Sequence, residues 1–359
     1  MSPVRVVSLS VEPLSIQTVD PFVIASGEVR STRSVLVRAE LRGSGQAVLG
    51  LGEGACLPPV TKEDQPDALA AVEAARAQLW DRVFSSPHEL RAALAQTMPE
   101  VPVARGAVEM AMLDAWSRLD GAPLWKWLGG DEAVEIETDI TLPILAPARM
   151  AELAVQWHAR GFRSFKIKVG KHFEQDLVAL KAVCAAVPGA SFRPDANAGL
   201  RPDEAVRWVR EARALGAKVE CFEQPCASLE EMAEACAKLD VPVLADESVK
   251  TPEDLEAVAA AKAANGVNLK IAKSGSLLTA RAIGMAAQAR GWTVMVGGMV
   301  ESRLGMTAAA HLCASLGGVQ FPDLDTAWLL AEDPFTGGYR EDGPRYTLPD
   351  VPGLGVTKR

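Results

Sequence analysis

The chain has 359 residues, which is longer than one ordinary domain and suits a barrel of about 250 residues with a smaller partner domain. Its formal net charge is −9, from 46 acidic and 37 basic residues, and no Lys/Arg block favours a nucleic acid partner. The N-terminus does not resemble a secretory signal, and no apolar stretch reaches the length of about 18 residues needed to span a membrane. A cytoplasmic protein without membrane contact is predicted.

Cysteines and histidines give no sign of a zinc or thiol-exchange site. The 6 cysteines are scattered without a CxxC pair, and none of the 4 histidines lies within ligand spacing of another. Buried free thiols are therefore expected, and any metal site must be built from other ligands.

The first third of the chain shows the pattern of an α+β domain, which we assign to residues 1–130. Residues 34–41 and 46–57 have strand patterning on either side of a glycine-containing turn at Gly43 to Gly45, which predicts a hairpin. The Ala/Met-rich segment 104–119 predicts a helix that ends at Asp120-Gly121.

From residue 131 to residue 335 short apolar runs alternate with amphipathic helices. Parallel strands need crossover helices, so eight such strands predict a barrel, and no glycine fingerprint supports an open dinucleotide-binding sheet. Residues 336–359 are expected to return to the first domain. The predicted strands are 135–144, 164–169, 191–196, 218–225, 241–248, 266–271, 293–298 and 318–324.

Charged residues stand where buried parallel strands should carry only apolar ones. They recur one β/α unit apart at the C-terminal ends of successive strands, which is the rim where barrel enzymes hold their catalytic groups. In chain order they are Lys166 and Lys168, then Asp195 with Asn197, Glu223, Asp246 with Glu247, and Lys270.

Three adjacent carboxylates in a low-dielectric cup would repel one another unless a cation lies among them. Oxygen ligands without His or Cys favour Mg²⁺, with Mn²⁺ as a workable substitute. Taken singly, Asp246 or Glu247 could cap a helix, and Lys166 could extend its ammonium to the rim. Five successive strands that carry Lys, Asp, Glu, Asp and Lys favour a catalytic site instead.

These groups can perform proton transfer beside a carboxylate. A bound Mg²⁺ would hold the substrate carboxylate and stabilise the charge that forms when the adjacent carbon loses its proton. Strands two and six are opposite in a ring of eight, so Lys168 and Lys270 are expected to serve opposite faces of the planar intermediate. Lys166 is expected to supply a neighbouring positive charge that lowers the pKa of Lys168.

Five ordered motifs resemble the muconate-lactonizing branch of the enolase superfamily. They are FKIKVG (165–170), RPDANAGL (193–200), FEQP (222–225), LADESV (244–249) and NLKIAKSG (268–275). The resemblance implies an α/β fold with a modified TIM barrel, (β/α)7β, and an α+β N-terminal capping domain. It also implies Asp195, Glu223 and Asp246 as metal ligands and Lys168 and Lys270 as the acid/base pair.

Within that branch, FPDLDTAWLL (321–330) is similar to the Asp-x-Asp signature of dipeptide epimerases. The resemblance implies that Asp323 and Asp325 bind the α-ammonium group of a dipeptide, although Asp325-Thr326 could instead cap a turn. Residues 297–312 are similar to the corresponding segment of those enzymes, which implies substrate contacts at Gly297 and Met299. The implied reaction inverts the α-carbon of the C-terminal residue through an enediolate.

The flap of the first domain departs from the pattern of Ala-Glu epimerases, which place an arginine after a Pro-Phe pair. Here Pro21-Phe22 is followed by Ser26 and Gly27 at the expected place, and Arg30 is the nearest basic residue. Ser26 is therefore predicted to face the substrate, and the identity of the dipeptide stays open.

Three other kinds of function compete with dipeptide epimerisation: related reactions at the same site, aldolase chemistry, and ligand binding without catalysis. An N-acylamino acid racemase, an o-succinylbenzoate synthase or a muconate cycloisomerase would share the site but would have no ammonium to bind. A barrel aldolase would form a Schiff base on one lysine, and a non-catalytic binding protein would exchange no proton. Barrels with such caps commonly assemble, so a homo-oligomer is expected.

Overall fold

The computed structural model describes residues 2–24, 27–131 and 135–359, with the side chains of residues 23 and 24 left out. The strands are β1 (Val4–Leu14), β2 (Gln17–Ile24), β3 (Gly27–Ser31), β4 (Arg33–Gly43), β5 (Gln46–Cys56), β6 (Val83–Phe84), β7 (Ile136–Glu137), β8 (Ile140–Leu142), β9 (Ser164–Lys168), β10 (Ser191–Asp195), β11 (Lys218–Val219), β12 (Phe222–Glu223), β13 (Val243–Ala245), β14 (Gly266–Leu269), β15 (Thr293–Val296), β16 (Phe321–Pro322), β17 (Phe335–Gly337), β18 (Arg340–Asp342), β19 (Arg345–Thr347) and β20 (Val356–Lys358). The helices are α1 (Gln65–Leu79), α2 (Pro87–Thr97), α3 (Pro102–Leu119), α4 (Leu124–Trp127), α5 (Pro147–Ala159), α6 (Phe173–Ala186), α7 (Pro202–Ala214), α8 (Leu229–Lys238), α9 (Pro252–Ala261), α10 (Ile271–Ser274), α11 (Leu277–Ala289) and α12 (Arg303–Leu316), with a 3-10 helix at Thr326–Leu329.

The N-terminal part, called the cap below, contains an antiparallel sheet in the order β5-β4-β1-β6. The predicted hairpin is confirmed, because β4 and β5 pair from Arg33 with Cys56 to Gly43 with Gln46. Its turn places Ser44 and Gly45 at positive φ, which is the backbone of a two-residue hairpin turn that matches the twist of the strands.

Helix α3 lies between this sheet and the barrel. It contacts β4 and β5 on one side and α10 and α11 on the other, and most of its side chains are buried. The approach to the sheet requires glycine at position 52, where a Cβ would lie 2.1 Å from the carbonyl oxygen of Ala107. The cap therefore reaches the barrel through a helix that is buried on nearly every face.

The second part is a parallel barrel, so the predicted fold class is confirmed. Its strands follow the order β8-β9-β10-β12-β13-β14-β15-β16, with helices in each of the seven crossovers. The first and last strands meet through the Asp139 N–H, which donates to the Pro322 carbonyl at 3.3 Å, and through the Leu324 N–H, which donates to Thr138 Oγ1 at 2.7 Å. Side chains strengthen this seam, since Arg193 bonds both Asp139 and the Pro322 carbonyl.

All eight predicted strands are shorter than expected; 241–248, for example, is observed as Val243–Ala245, and three others change in form. The segment 135–144 divides into β7, which pairs antiparallel with β19, and β8, which alone joins the barrel. The segment 218–225 divides at Glu220, although the Glu220 N–H still donates to the Phe192 carbonyl, so the division follows from irregular pairing. The segment 318–324 keeps only Phe321–Pro322, with single backbone bonds beyond it from the Gln320 N–H to the Val294 carbonyl and from the Asp323 N–H to the Val296 carbonyl.

The C-terminal segment contacts both parts of the molecule. The Leu354 N–H donates to Asp114 of α3 at 2.7 Å, whereas β19 pairs with β7 near the start of the barrel. Within the described ranges, none of the helices combines the length and the apolar composition that a membrane crossing requires.

Candidate functional site

The charged residues predicted from strand ends meet at one rim of the barrel. The Cα of Asp195 pairs with those of Lys168 and Glu223 on the neighbouring strands, so these three side chains start at the same level. Asp246 follows β13 directly and Lys270 follows β14 directly. All five are buried, which sequence spacing alone could not establish.

The three predicted metal ligands share one arrangement. One oxygen of each carboxylate faces one of the lysines predicted from the sequence, while the other oxygen rests on a further donor. Donors of the protein itself therefore fix the orientation of each carboxylate. Asp195 contacts Lys168 Nζ (2.6 Å) and the Asn197 N–H (2.9 Å), Glu223 contacts Lys166 Nζ (2.7 Å) and Asn268 Nδ2 (2.7 Å), and Asp246 contacts Lys270 Nζ (2.6 Å) and Lys273 Nζ (2.7 Å).

Burial raises the pKa of each carboxyl group, and neighbouring charges decide the outcome. For Asp195 burial is outweighed by Lys168 and Lys166, which lower its pKa to about 2. For Asp246 two ammonium groups outweigh burial and hold its pKa well below the usual value. Glu223 behaves differently, because burial and then the charge of Asp195 raise its pKa to about 7. The cup is therefore crowded with negative charge.

The donor set fits a hard cation by its chemistry. Carboxylate oxygens are the ligands that Mg²⁺ prefers, and a divalent cation would offset the burial and the charge of Asp195 that together raise the pKa of Glu223. In this structure one oxygen of each of the three carboxylates contacts a lysine ammonium group. The described residues include no group of three or more Asp, Glu, His or Cys side chains already spaced as a metal site. The oxygens that would bind a cation are the ones that the lysines contact here.

Lys166 lies at the centre of the mouth. Its Nζ is 2.7 Å from Glu223 Oε2, 2.8 Å from Asp323 Oδ2 and 3.3 Å from Asp195 Oδ2. Burial disfavours its charge, but the carboxylates of Asp323, Glu223 and Asp195 outweigh burial and hold its pKa well above the usual value. Lys166 thus joins the three-carboxylate arc to the eighth strand, a contact that the sequence did not indicate.

Lys168 and Lys270 stand on either side of the carboxylates. In sheet order β10, β12 and β13 separate the strands that carry them. Burial lowers the pKa of Lys270, but the charges of Asp246 and Glu223 outweigh burial and raise it. The raised pKa of Lys270 follows mainly from its ion pair with Asp246 at 2.6 Å.

A further buried lysine, Lys273, was not assigned a role from the sequence. It lies on the short helix α10 and donates to Asp246 Oδ1 at 2.7 Å and to the Asn268 carbonyl at 2.8 Å. Burial lowers its pKa. The available signal was its place one helical turn after Lys270, which brings it back toward the same strand end.

A cavity at the mouth of the barrel is lined by Lys166, Lys168 and Lys270. The other two rim residues predicted from the sequence, Asn197 and Glu247, line it as well. Asn197 Nδ2 donates to Glu247 Oε1 at 3.1 Å. Burial, followed by the charge of Asp246, raises the pKa of Glu247. These side chains form the wall beside the three-carboxylate arc.

Asp323 and Asp325 lie across the mouth, after β16. Asp325 is fully buried, and its Oδ2 accepts the Thr141 N–H at 2.5 Å. Its Oδ1 is buried and has no hydrogen-bond partner among the residues that the structure describes. Burial and then the charge of Asp323 raise the pKa of Asp325 to about 6. The Asp325 side chain makes no capping bond to the 3-10 helix at Thr326–Leu329, which weakens the turn-capping interpretation.

The cavity between these groups also has an apolar wall. Gly297, predicted to contact the substrate, is not among the residues that line the cavity; a Cβ there would be 2.7 Å from Asp323 Oδ2. Ser26 is outside the described residues. Arg30 is ion-paired with Glu28 and does not line the cavity. The apolar lining comprises Phe22, Leu57 and Val60 from the cap, and Met299 and Val300 from the loop after β15.

Known proteins resemble this chain over almost its whole length. A crystal structure of L-Ala-D/L-Glu epimerase from Bacillus subtilis with bound substrate superposes with a TM-score of 0.93 at 31% identity, covering 98% of this chain and 99% of that one. A dipeptide epimerase from Enterococcus faecalis, complexed with Mg and L-Leu-L-Tyr, gives a TM-score of 0.90 at 29% identity, covering 98% and 99%. An aromatic dipeptide epimerase from Herpetosiphon aurantiacus is 35% identical, covering 99% of each chain.

Family models divide the chain much as the fold does. The mandelate racemase/muconate lactonizing enzyme N-terminal domain matches residues 8–129, and the enolase C-terminal domain-like family matches residues 149–359. Together they cover the cap and nearly all of the barrel. The chain therefore belongs to the enolase superfamily, in its mandelate racemase/muconate lactonizing enzyme branch.

Proposed function

We propose that this protein is a Mg²⁺-dependent dipeptide epimerase that inverts the α-carbon of the C-terminal residue by two-base proton transfer. The observation that carries the proposal is the unpaired Asp325 Oδ1, a buried carboxylate oxygen that lacks a donor among the described residues and belongs to a side chain that lines the cavity. A buried acceptor without a donor is costly, so a site of this kind fits a cationic ligand group. The α-ammonium of a dipeptide supplies that group.

The geometry gives the substrate two charged ends to satisfy. Asp323 and Asp325 follow the eighth strand, and the metal-binding carboxylates Asp195, Glu223 and Asp246 end the third to fifth strands. A dipeptide has an ammonium at one end and a carboxylate at the other, so it can span the mouth between these groups. A substrate without the ammonium would leave Asp325 Oδ1 unpaired.

Lys168 and Lys270 would hold the proton on opposite faces of the α-carbon. One takes the α-proton as a neutral amine while the other, as an ammonium, returns a proton to the opposite face, which inverts the centre. When bound, Mg²⁺, with Mn²⁺ as a workable substitute, would supply positive charge that stabilises a substrate carboxylate whose adjacent carbon has lost its proton. Asp195, Glu223 and Asp246 would hold the metal, and Asn268 and Lys273 would orient two of these carboxylates.

The apolar wall favours dipeptides with a hydrophobic side chain. Phe22, Leu57 and Val60 of the cap face the cavity together with Met299 and Val300. None of the described cap residues that line it carries a positive charge, so a glutamyl side chain would find no counter-ion there. A higher kcat/KM for Leu- or aromatic-containing dipeptides than for Ala-Glu is expected.

Deuterium uptake tests this function directly. The protein is incubated in D₂O with Mg²⁺ and a library of L,L-dipeptides, and mass spectrometry follows uptake at the C-terminal α-carbon and inversion. EDTA should abolish uptake, and added Mg²⁺ should restore it. Uptake from N-acylamino acids but from no dipeptide would replace this proposal with a racemase, and borohydride trapping of a lysine adduct without metal dependence would replace it with an aldolase.

A further inference from the structure

Two buried carboxylates of the cap bind the barrel on the Lys270 side. Glu109 lies on α3 and is 1% exposed, and Glu53 lies on β5 and is 3% exposed. Each accepts hydrogen bonds at the N-terminus of a barrel helix, where backbone N–H groups lack partners within the helix. The two helices are α11 and α12, which follow the sixth and seventh barrel strands.

Glu109 holds the segment that follows Lys270. Its Oε1 accepts the Ser276 hydroxyl at 2.8 Å, and its Oε2 accepts the Leu278 N–H at 3.2 Å. One turn earlier on α3, Arg105 Nε donates to the Gly275 carbonyl at 3.0 Å. These contacts fix both ends of the connection between α10 and α11, and α10 begins immediately after Lys270.

Glu53 holds the loop that follows β15. Its carboxylate accepts the Ser302 N–H at 3.1 and 3.2 Å, the Gly305 N–H at 3.0 Å and the Ser302 hydroxyl. Residues 298–300 of this loop line the cavity. Glu301 lies beside Glu53, and burial followed by the charge of Glu53 raises the pKa of Glu301 to about 8. A second buried acid is therefore packed against this contact.

We propose that Glu109 and Glu53 are positioning residues through which the cap sets the location of Lys270 and of the cavity loop 298–300. The inference rests on the proposed function, because Lys270 is a base only in that reaction. A small displacement of a reacting group far from the mutated site can reduce the rate by up to about 10²-fold. Loss of Glu109 therefore affects proton transfer at Lys270 more than at Lys168, whereas loss of Glu53 displaces the cavity loop 298–300.

Matched variants separate positioning from stability. Glu109→Gln and Glu53→Gln keep the side-chain shape but leave one acceptor oxygen where the carboxylate has two. Asp114→Asn is the control, because Asp114 is a fully buried carboxylate on the same helix as Glu109. It accepts the N–H groups of Leu51 and Leu354, neither of which belongs to a barrel helix. Thermal melting gives the folded fraction of each variant.

Deuterium uptake from each epimer of one dipeptide is the discriminating measurement. We expect Glu109→Gln to slow uptake about tenfold from the epimer whose α-proton faces Lys270, and less than about twofold from the other epimer. Glu53→Gln should raise KM for both epimers, because Glu53 holds the loop whose residues 298–300 line the cavity. Asp114→Asn should change both epimers equally. Equal loss from both epimers in Glu109→Gln, or an unchanged KM in Glu53→Gln, would overturn the proposal.

Backbone amide exchange provides a readout that does not need activity. Glu109→Gln should raise amide exchange in a peptide covering 266–278 and leave exchange in a peptide covering 164–180 unchanged. Unchanged exchange in 266–278 would contradict the role of Glu109 as the anchor of that segment. If Glu109→Gln does not fold, Ser276→Ala removes the barrel hydroxyl and should give the same asymmetry at smaller size. Wild-type protein that takes up no deuterium from any dipeptide would refute the proposed function, and amide exchange would still decide the anchor.

Discussion

The two lysine-bearing sides of the barrel mouth are built differently. On the Lys270 side, Glu109 and Arg105 of the cap bond residues 275–278, just beyond the short helix α10 that follows the lysine. On the Lys168 side, the support comes from the barrel itself, since the Gly170 N–H donates to Asp176 of α6 at 2.7 Å. A second cavity lies beside Lys168 and is lined entirely by barrel residues between 144 and 179.

This difference shows that two chemically equivalent bases need not be held by equivalent structures. The cap bonds the chain that follows Lys270 through buried carboxylates, whereas near Lys168 it bonds α5, the helix before β9, through the partly exposed Asp20–Arg149 pair at 3.1 Å. A disturbance of the cap should therefore act on one epimer first, whereas a disturbance of the metal-binding carboxylates between the lysines should act on both. Single substitutions can test each side separately.

Removal of either lysine should have the largest effect and should expose the asymmetry of the reaction. Lys168→Met or Lys270→Met should lower inversion by about 10³-fold or more, because a positioned acid/base group contributes about 10² to 10⁴-fold. The remaining lysine should still exchange the α-proton of the one epimer that faces it, with retention of configuration. Deuterium uptake and chiral chromatography measure both rates.

The two lysine variants can be compared with each other. Each variant should exchange a different epimer, so the two patterns should be opposite. Exchange of both epimers by one variant would show that a single group reaches both faces. That result would remove the two-sided model of the mouth.

Loss of the ammonium-binding acid should have a smaller effect that is confined to dipeptides. Asp325→Asn removes the charge of a carboxylate whose Oδ2 is already bonded to Thr141. Breaking one buried charge contact costs about 3 kcal/mol, or roughly 10²-fold in kcat/KM for a dipeptide. Exchange from an N-acylamino acid, which has no ammonium, should not fall.

Asp325→Asn also has a clear opposite outcome. If dipeptide turnover is unchanged, the unpaired oxygen of Asp325 does not receive the substrate ammonium. Asp323→Asn is a useful companion because Asp323 also binds Lys166 at 2.8 Å, so it should disturb the centre of the mouth as well. A larger loss for Asp323→Asn than for Asp325→Asn is therefore expected.

Much of the rim could be predicted from sequence because charge is rare in buried parallel strands. Lys168, Asp195 and Glu223 sit at equal heights in neighbouring strands, and their spacing in the chain reports this directly. The predicted helix over 104–119 is observed as Pro102–Leu119, since its apolar composition leaves no other conformation with as much burial. Strand ends were less predictable, because backbone bonds such as that from the Asp323 N–H to the Val296 carbonyl continue past the last regular residue.

The contacts between the cap and the barrel could not be predicted. Glu109 lies in an Ala/Met-rich helix and bonds Ser276, which is 167 residues away in sequence. Glu53 belongs to a glycine-rich strand where a single acid has no periodic meaning. The identity of such partners depends on how two domains pack, and hydrophobic periodicity reports only that each element has a buried face.

The acid limb of the pH profile should separate the eighth strand from both lysines, with the smallest effect of the three. Burial and the charge of Asp323 raise the pKa of Asp325 to about 6, so protonation as the pH falls through that value removes the charge that attracts the ammonium. The kcat/KM for a dipeptide should therefore decrease below about pH 6, because the substrate ammonium, with a pKa near about 8, stays charged there. In Asp325→Asn this limb should disappear from what activity remains, while the limb above about pH 8 should persist because it belongs to the substrate amine. An acid limb that is unchanged in Asp325→Asn would assign the titration to another group of the mouth.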